Sequence, residues 1–295
     1  ESRDPGRLLG AHVVKEGLLI QAYIPNAKTM TVKLKKEKFP MEMADENGFF
    51  AVLIEDRREL EPYKFIVEYE NGDREEFEDP YSYRFHSRFK DEDVKKFEAG
   101  IFYNSYEKLG AHVVSESGVR GVHFAVWAPG AMRVSVVGTF NFWDGRRHQM
   151  KRLGESGIYE IFIPGLKAGA LYKYEVKTKA GVPMLKADPY GSFTELRPDT
   201  ASVVWDMGQY KWEDKGWMES RAKESGKENP MSIYEVHLGS WMQKEISVDE
   251  NGKEINGSQF YNYREIAEKL SAYVKEMGYT HVELLPVMEH PLDAS

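Results

Sequence analysis

The sequence contains no cysteine, which excludes disulfide bonds, thiolate nucleophiles and cysteine-based metal sites and is compatible with a reducing cytoplasm. It also lacks a long basic run, and its formal net charge is −8. Because nucleic acids and anionic membranes are bound through a Lys/Arg footprint, we expect neither as a partner. No apolar run reaches the roughly 18 residues that would suggest a membrane-spanning helix. The first residues are polar, with neither a start methionine nor the apolar core of a signal peptide, so we expect a processed or partial chain.

Aromatic residues, in contrast, are plentiful and make up 13% of the chain. Such side chains fill the cores of β-sandwiches and also stack on flat apolar faces of ligands. Together with the negative net charge, they favour a neutral ligand. The length of 295 residues allows two or three domains.

The most informative pattern is an internal repeat. Residues Leu9-Gly10-Ala11-His12-Val13-Val14 recur 100 positions later as Leu109-Gly110-Ala111-His112-Val113-Val114. Further pairs recur at an offset of 109, among them Tyr63-Lys64-Phe65 with Tyr172-Lys173-Tyr174 and Asp79-Pro80-Tyr81 with Asp188-Pro189-Tyr190. The repeat predicts two homologous units in tandem. Repetition of His12 and His112 in a framework position favours a structural role for both, since no second metal-ligating residue stands at a suitable spacing.

Each unit contains short spans of alternating apolar and polar residues, separated by Gly, Pro, Asn and Asp. This pattern is typical of the antiparallel strands of a small sandwich. The predicted strands cover residues 18–24, 29–34, 49–54 and 63–69 in the first unit, and 122–127, 133–137, 158–163 and 172–177 in the second. Each unit is therefore predicted to be all-β.

The pattern changes after Pro230 to strand, helix and strand. The strands are predicted at residues 232–238 and 281–287, and the helix is predicted between the capping-box sequence Asn262-Tyr263-Arg264-Glu265 and Gly278. Such a parallel crossover normally belongs to a larger parallel sheet or barrel. The expected division is residues 1–90 for the first module, 91–107 for a linker helix, 108–207 for the second module, 208–230 for a connector and 231–295 for the start of a barrel.

Three segments resemble glycogen branching enzymes of the α-amylase superfamily, and the resemblance extends over essentially the whole chain. Two segments look like the first and second barrel strands with their following residues, and the third looks like a loop of the second N-terminal module. They are Ile233-Tyr234-Glu235-Val236-His237-Leu238-Gly239-Ser240-Trp241, Val282-Glu283-Leu284-Leu285-Pro286-Val287-Met288-Glu289-His290-Pro291, and Gly138-Thr139-Phe140-Asn141-Phe142-Trp143-Asp144-Gly145-Arg146-Arg147-His148-Gln149-Met150. The loop departs from the family at Phe142, where a small residue is usual, and at Gln149, where proline is usual.

The resemblance implies a mainly β chain: two tandem immunoglobulin-like β-sandwich modules of the starch-binding type, followed by the first β-α-β unit of a truncated (β/α)8 barrel. It implies a 1,4-α-glucan branching activity in glycogen biosynthesis, which transfers cut α-1,4-glucan segments to 6-hydroxyls by a retaining mechanism. In the family, the catalytic carboxylates lie on later barrel strands. We therefore expect no catalytic residue within residues 1–295, and no branching activity from them alone. A complete barrel takes about 250 residues, whereas about 65 follow Pro230.

The resemblance also implies where a glucan would bind. The second unit is 5 residues longer than the first between the matched anchors Val136/Val32 and Met150/Met41. In modules of this kind, a tryptophan at the position of Trp143 stacks on glucose rings and a lysine at the position of Lys173 holds hydroxyls; Asp144 completes the predicted carbohydrate-binding set. The alternative is that Trp143 packs beneath the loop. We expect Phe142 to make the core contact and free Trp143.

The last segment offers further polar candidates. We expect Glu235, His237 and Glu283 to form a buried polar network, the alternative being a position near a substrate cleft. Glu289 and His290 lie past the second strand, where barrel enzymes build their sites, and are candidates for a substrate cleft. The expected partner is glycogen or another α-1,4-glucan, bound by a cytoplasmic monomer without metal or cofactor.

Two other functions remain open at this stage. The first is a non-catalytic glucan-binding protein, and the second is a debranching or trehalose-releasing relative, which would share the second module and the barrel start. The duplicated modules and the Trp143-Asp144-Gly145-Arg146-Arg147-His148 loop favour branching.

Overall fold

The computed structural model describes residues 2–224, 229–247, 249–251 and 259–288. Contacts divide the chain after Gln209 into two compact units, which are described separately. The first unit contains both copies of the internal repeat. None of the helices in the described ranges has the length and apolar character needed to cross a bilayer.

The first copy of the repeat is a sandwich of two four-stranded antiparallel sheets, all of whose residues are described. One sheet has the strand order β1-β2-β6-β5 and the other the order β4-β3-β7-β8. The strands are β1 (Gly10–Val13), β2 (Leu18–Tyr23), β3 (Ala27–Leu34), β4 (Glu37–Pro40), β5 (Glu42–Asp45), β6 (Phe49–Ile54), β7 (Tyr63–Tyr69) and β8 (Arg74–Glu78). Apolar side chains of both sheets alternate inward and form one core.

The second copy repeats this strand order. Its sheets are β9-β10-β13-β12 and β11-β14-β15, and β16 also pairs with β14. The strands are β9 (Gly110–Glu116), β10 (Val119–Trp127), β11 (Ala131–Gly138), β12 (Lys151–Arg152), β13 (Ile158–Pro164), β14 (Leu171–Thr178), β15 (Pro183–Lys186) and β16 (Ser202–Val203). The predicted tandem of all-β sandwiches is confirmed.

The two repeated motifs of each copy lie against each other. Gly10 has φ +94°, and a Cβ there would lie 3.1 Å from the carbonyl oxygen of Tyr81. Gly110, with φ +100°, stands in the same relation to Tyr190, also at 3.1 Å. Only glycine accommodates both the backbone angle and the close approach. The Leu-Gly-Ala-His and Asp-Pro-Tyr sequences therefore recur together because each supports the other.

In both copies, the buried aspartate of the Asp-Pro-Tyr sequence holds that sequence in place through hydrogen bonds. Asp188 Oδ2 accepts a hydrogen bond from the Tyr172 hydroxyl at 2.7 Å, and Oδ1 accepts one from the Tyr190 backbone N–H at 2.8 Å. Asp79 accepts the equivalent bonds from Tyr63 and Tyr81. Burial raises the pKa of Asp79 to about 6, although the two hydrogen bonds act in the opposite direction.

The repeated histidines are structural, as expected. His12 Nε2 lies 3.1 Å from the Leu9 carbonyl oxygen, and His112 Nε2 lies 2.9 Å from that of Leu109. A short helix, α1 (Asp91–Glu98), joins the two sandwiches, and the chain leaves it through Gly100 with φ +70°. Its apolar face packs beside Leu109 in a small separate core.

The second unit contains a parallel β-α-β arrangement, as predicted. Strands β17 (Ile233–Val236) and β18 (His281–Leu284) pair in parallel, and helix α4 (Tyr263–Met277) lies between them in the chain. Asn262 and Glu265 form the expected capping box, and α4 ends at Gly278 with φ +77°. The connector preceding β17 contains helix α2 (Lys215–Glu224).

The expected buried network on these strands is wrong for the described residues. Strand β17 ends at Val236, and His237 instead begins the short helix α3 (Leu238–Trp241), where its Nδ1 accepts a hydrogen bond from the Ser240 backbone N–H at 3.2 Å. Glu235 and Glu283 are paired in register, but both are exposed. An exposed carboxylate keeps its hydration, so it needs no buried partner.

The buried Asp79 predicts an unusual pH dependence of stability. Its folded pKa of about 6 lies above the unfolded value of about 3.9, so its contribution is fully present below the unfolded value and is lost as the pH rises through 6. We expect the free energy of unfolding of the wild type to fall, relative to that of Asp79→Asn, between about pH 4 and pH 7. Urea unfolding across this range measures the difference. A difference that stays constant with pH would contradict the assignment.

Candidate carbohydrate-binding site

The two sandwiches differ most where strand β11 ends. In the first copy, Leu34 is joined to Glu37 by a tight hairpin, with Lys35 at φ +53°. In the second copy, residues 138–150 form a longer loop. It starts at Gly138, which pairs with Tyr172 of β14, and it ends at Met150, whose backbone N–H donates to the Val134 carbonyl oxygen at 2.8 Å.

Asn141 is the internal anchor of this loop. Its side chain is fully buried, and its Oδ1 accepts a hydrogen bond from the Gly138 backbone N–H at 2.9 Å. Its Nδ2 donates to the Val136 carbonyl oxygen at 2.8 Å and to His148 Nδ1 at 2.9 Å. One amide side chain therefore ties the start of the loop, the preceding strand and the end of the loop together.

His148 completes this buried arrangement as a neutral imidazole. Burial lowers its pKa to about 3, and the nearby Arg147 charge acts in the same direction. Its Nδ1 can then act as the acceptor for Asn141. The backbone carbonyl of His148 also accepts the Val136 N–H at 3.2 Å, so the loop's end is bonded directly to β11.

Two adjacent aromatic residues follow the anchor, and both have left-handed backbone angles. Phe142 has φ +58° and Trp143 has φ +60°. The Trp143 N–H bonds to the Gly138 carbonyl oxygen at 3.0 Å, which closes the turn. The expected core contact of Phe142 is wrong: its side chain is 66% exposed, because the left-handed turn directs it out of the sandwich. Trp143 is partly buried.

Polar side chains flank the aromatic pair. Asp144 accepts hydrogen bonds from the Arg146 backbone N–H and guanidinium at 2.7–3.1 Å. Burial opposes ionisation of Asp144, but the bonds to Arg146 outweigh it and lower the pKa of the carboxyl. The loop packs close to the outer face of β14, since a Cβ on Gly145 would lie only 2.0 Å from the Glu175 carboxylate.

Lys173 lies on this same face of β14. It pairs in register with Val137, one residue before the loop begins, and its Nζ donates to Thr200 Oγ1 at 2.6 Å. The Trp143 backbone is bonded to Gly138, the residue that follows the register partner of Lys173. The predicted residues Trp143, Asp144 and Lys173 thus come from one loop and its neighbouring strand.

The loop also contacts the first sandwich, which the sequence did not predict. The Tyr81 hydroxyl donates to the Gln149 carbonyl oxygen at 3.2 Å. Arg147 is buried, with its Nη2 3.7 Å from Glu75 Oε2 and its guanidinium 5.7 Å from the centre of the Phe77 ring. Two consecutive arginines in an otherwise weakly charged loop were the available signal in the sequence, but the partners of Arg147 are distant in sequence.

The remaining predicted site residues, Glu289 and His290, lie outside the described residues.

Family comparisons agree with this architecture. Residues 108–191 match carbohydrate-binding module 48 (isoamylase N-terminal domain), and residues 1–81 match the N-terminal domain of alpha-1,4-glucan branching enzyme GlgB. The second sandwich, which holds the loop, is thus the part of the chain that matches the carbohydrate-binding module.

Individual relatives extend the similarity to the whole chain. The chain is 42% identical to the 1,4-alpha-glucan branching enzyme GlgB of Synechococcus sp. (strain JA-2-3B'a(2-13)), over 99% of this chain and 41% of that protein. It is 44% identical to the enzyme of the same name from Thermosynechococcus vestitus, over 100% and 40% respectively. The predicted resemblance to glycogen branching enzymes is confirmed, and the chain spans about 40% of the length of these curated relatives.

Among solved structures, the pullulanase of Klebsiella pneumoniae is similar with a TM-score of 0.43 and 18% identity, over 95% of this chain and 33% of that chain.

The neutral His148 predicts that the free energy of unfolding depends on pH. Its folded pKa of about 3 lies below the unfolded value of about 6.5, so its contribution is present above pH 6.5 and is lost as the pH falls. Relative to His148→Gln, the wild type should lose about 2 kcal/mol of unfolding free energy between pH 7 and pH 5, at ~1.36 kcal/mol per pH unit below the unfolded pKa. Urea unfolding of both proteins measures this. A parallel pH dependence of the two proteins would show that His148 titrates normally.

Proposed function

We propose that this chain is the N-terminal part of a 1,4-α-glucan branching enzyme of glycogen biosynthesis. Its second sandwich binds α-1,4-glucan through Trp143, Asp144 and Lys173. The observation that carries the proposal is the 138–150 loop, whose buried Asn141 holds a pair of adjacent aromatics in left-handed conformations beside polar groups. Similarity to branching enzymes along the whole chain supports the wider activity.

The chemistry of the loop suits a neutral sugar. A pyranose ring has an apolar face that stacks on an aromatic side chain, and its rim of hydroxyls both donates and accepts hydrogen bonds. Trp143 supplies the aromatic surface, Lys173 a donor and Asp144 an acceptor. Asp144 and Lys173 already have partners in Arg146 and Thr200, which hold them in place without a ligand.

In the proposed enzyme, a barrel carboxylate attacks the anomeric carbon of an α-1,4-linked chain, and the bond to the leaving 4-oxygen breaks as a second carboxylic acid protonates it. The second residue, now a carboxylate, then takes the proton of a glucan 6-hydroxyl, whose oxygen attacks the anomeric carbon as the bond to the first carboxylate breaks; this creates an α-1,6 linkage with retained configuration. We assign these carboxylates to barrel strands after β18.

The proposed domain boundaries are 1–90, 91–107, 108–207, 208–230 and 231–295, and the last segment forms the start of the (β/α)8 barrel. The role of residues 1–209 is to hold the polymer.

One aromatic platform would hold glucan only weakly. Covering roughly 100 Å² of apolar surface contributes about 2.5 kcal/mol at ~25 cal/mol/Å². Millimolar affinity corresponds to about 4 kcal/mol, so a single platform falls short of it. Attachment to a polymer such as glycogen therefore depends on several contacts acting together.

Truncation of the indole tests the binding proposal. Trp143→Ala should reduce retention in glycogen-containing affinity gels by about tenfold or more, since about 1.4 kcal/mol corresponds to tenfold. Lys173→Ala should reduce it less. Trp212→Ala is the matched control, because Trp212 is also a surface tryptophan, 76% exposed, and lies outside the second sandwich. Melting temperatures of all variants should be measured in parallel. Normal retention of both Trp143→Ala and Lys173→Ala would contradict the proposed site.

The assignment of chemistry to other strands has a separate test. A polypeptide of residues 1–295 incubated with amylose should produce no α-1,6 linkages above background, because the catalytic carboxylates are assigned elsewhere. Linkage analysis after debranching detects them. New branches at a measurable rate would show that the division between binding and catalysis is wrong.

A further inference from the structure

A cleft between the two sandwiches borders the same loop. Its volume is about 340 Å³, within the range of small-molecule sites of about 300–1,000 Å³. The first sandwich contributes its β2–β3 turn, with Asn26, and its β7–β8 turn, with Glu70 and Asn71. The second contributes Phe142 and Asp144 from the loop, and Trp143 lies outside this lining. Of the two adjacent aromatics of the loop, Phe142 is therefore the one that lines this cleft.

Phe142 is an unusual residue for its position. Its side chain is 66% exposed although it is large and apolar, and its backbone is left-handed, which is costly for a residue with a Cβ. The ring packs edge-to-face with the Tyr69 ring, 5.9 Å away at an interplanar angle of 81°. Most of its surface nevertheless remains exposed to solvent. An aromatic held outward in this way is suited to stacking on a ligand.

Arg147 also lines this cleft. Its side chain is only 4% exposed, yet within the described part of the chain its Nε and Nη1 have no hydrogen-bond acceptor. Its nearest carboxylate is Glu75, with 3.7 Å between the Nη2 and Oε2 atoms. Both unbonded atoms are themselves shielded from solvent, so what Arg147 contributes at the cleft is its positive charge.

The charges of the lining select the ligand class. Glu70 and Asp144 are carboxylates, whereas Arg147 is the one cation among the residues that line the described cleft. Asp144 is paired with Arg146, so the lining has no excess of positive charge that would select an anionic ligand. The side-chain amides of Asn26 and Asn71 carry both donors and acceptors, which match hydroxyl groups. The Asn71 amide already bonds to Asp73 through Nδ2 and Oδ1, and it retains one N–H and one lone pair for a ligand. The lining therefore fits a neutral polyhydroxy compound that also has an apolar face.

We propose that this cleft is a second α-glucan subsite, built by both sandwiches, with Phe142 as its aromatic platform and Asn26 and Asn71 as hydrogen-bonding partners. The proposal rests on the glucan binding proposed above and adds the first sandwich to it. A glucan chain bound at Trp143 would also contact Phe142, the neighbouring residue. This second contact is then intramolecular, so the two weak interactions together bind the glucan more tightly than either does alone.

The test compares retention on glycogen for matched variants of residues 1–295. Phe142→Ala should reduce retention by roughly tenfold, and Phe142→Tyr, which keeps the ring, should restore it. Asn26→Gly removes the amide while suiting the left-handed angle of φ +63°, so a reduced retention there reports ligand contact. Tyr103→Ala is the control, because Tyr103 is 85% exposed in the segment between the sandwiches. Melting temperatures should stay close to that of the wild type throughout.

Hydrogen–deuterium exchange with maltoheptaose locates the contact. Protection is expected at residues 25–27 and 70–72 of the first sandwich as well as in the 138–150 loop. If the wild type is retained and Trp143→Ala is not, while Phe142→Ala binds normally and protection stays within the second sandwich, the second subsite is wrong and the proposed function stands. If the wild type itself is not retained on glycogen, both proposals fail.

Discussion

The hydrogen bonds of the Asn141 side chain are the constraint on which the candidate site depends. They close a loop in which consecutive non-glycine residues occupy left-handed conformations, an arrangement that local sequence preferences oppose. Because the amide is fully buried, each bond is made without competition from water. Together with the backbone bond from the Trp143 N–H to the Gly138 carbonyl oxygen, they set the course of the chain through Phe142, Trp143 and Asp144.

The two sandwiches share a framework and differ in what is attached to it. Both use a buried aspartate, a positive-φ glycine and a histidine bonded to a carbonyl three residues earlier. In the first copy, the corresponding strands are joined by a two-residue hairpin. In the second, the extended loop both contacts the first sandwich through Arg147 and Gln149 and carries the aromatic pair. In the proposed function, the duplicated scaffold carries the aromatic loop on one copy, and the other copy supports that loop.

The sequence was most informative where structure is set by local patterns. The alternating spans predicted the strands, and the Asn262–Glu265 capping box with Gly278 predicted both ends of α4. It failed where particular hydrogen bonds override the alternating pattern. The length of β17 and the role of His237 depend on the short helix α3, and the exposure of Phe142 depends on the left-handed turn of the 138–150 loop. The partners of Arg147 are about 70 residues away in sequence, and no local pattern reveals them.

The central claim is that the 138–150 loop presents Trp143 to an α-glucan. The chain has 6 tryptophans, so the indole N–H resonances of a ¹⁵N-labelled sample are few enough to follow individually. The Trp143 resonance is identified by its absence in Trp143→Phe, and the wild type is then titrated with maltoheptaose. The account predicts a saturable shift of the Trp143 indole resonance. A Trp143 resonance that stays fixed up to saturating maltoheptaose would contradict it.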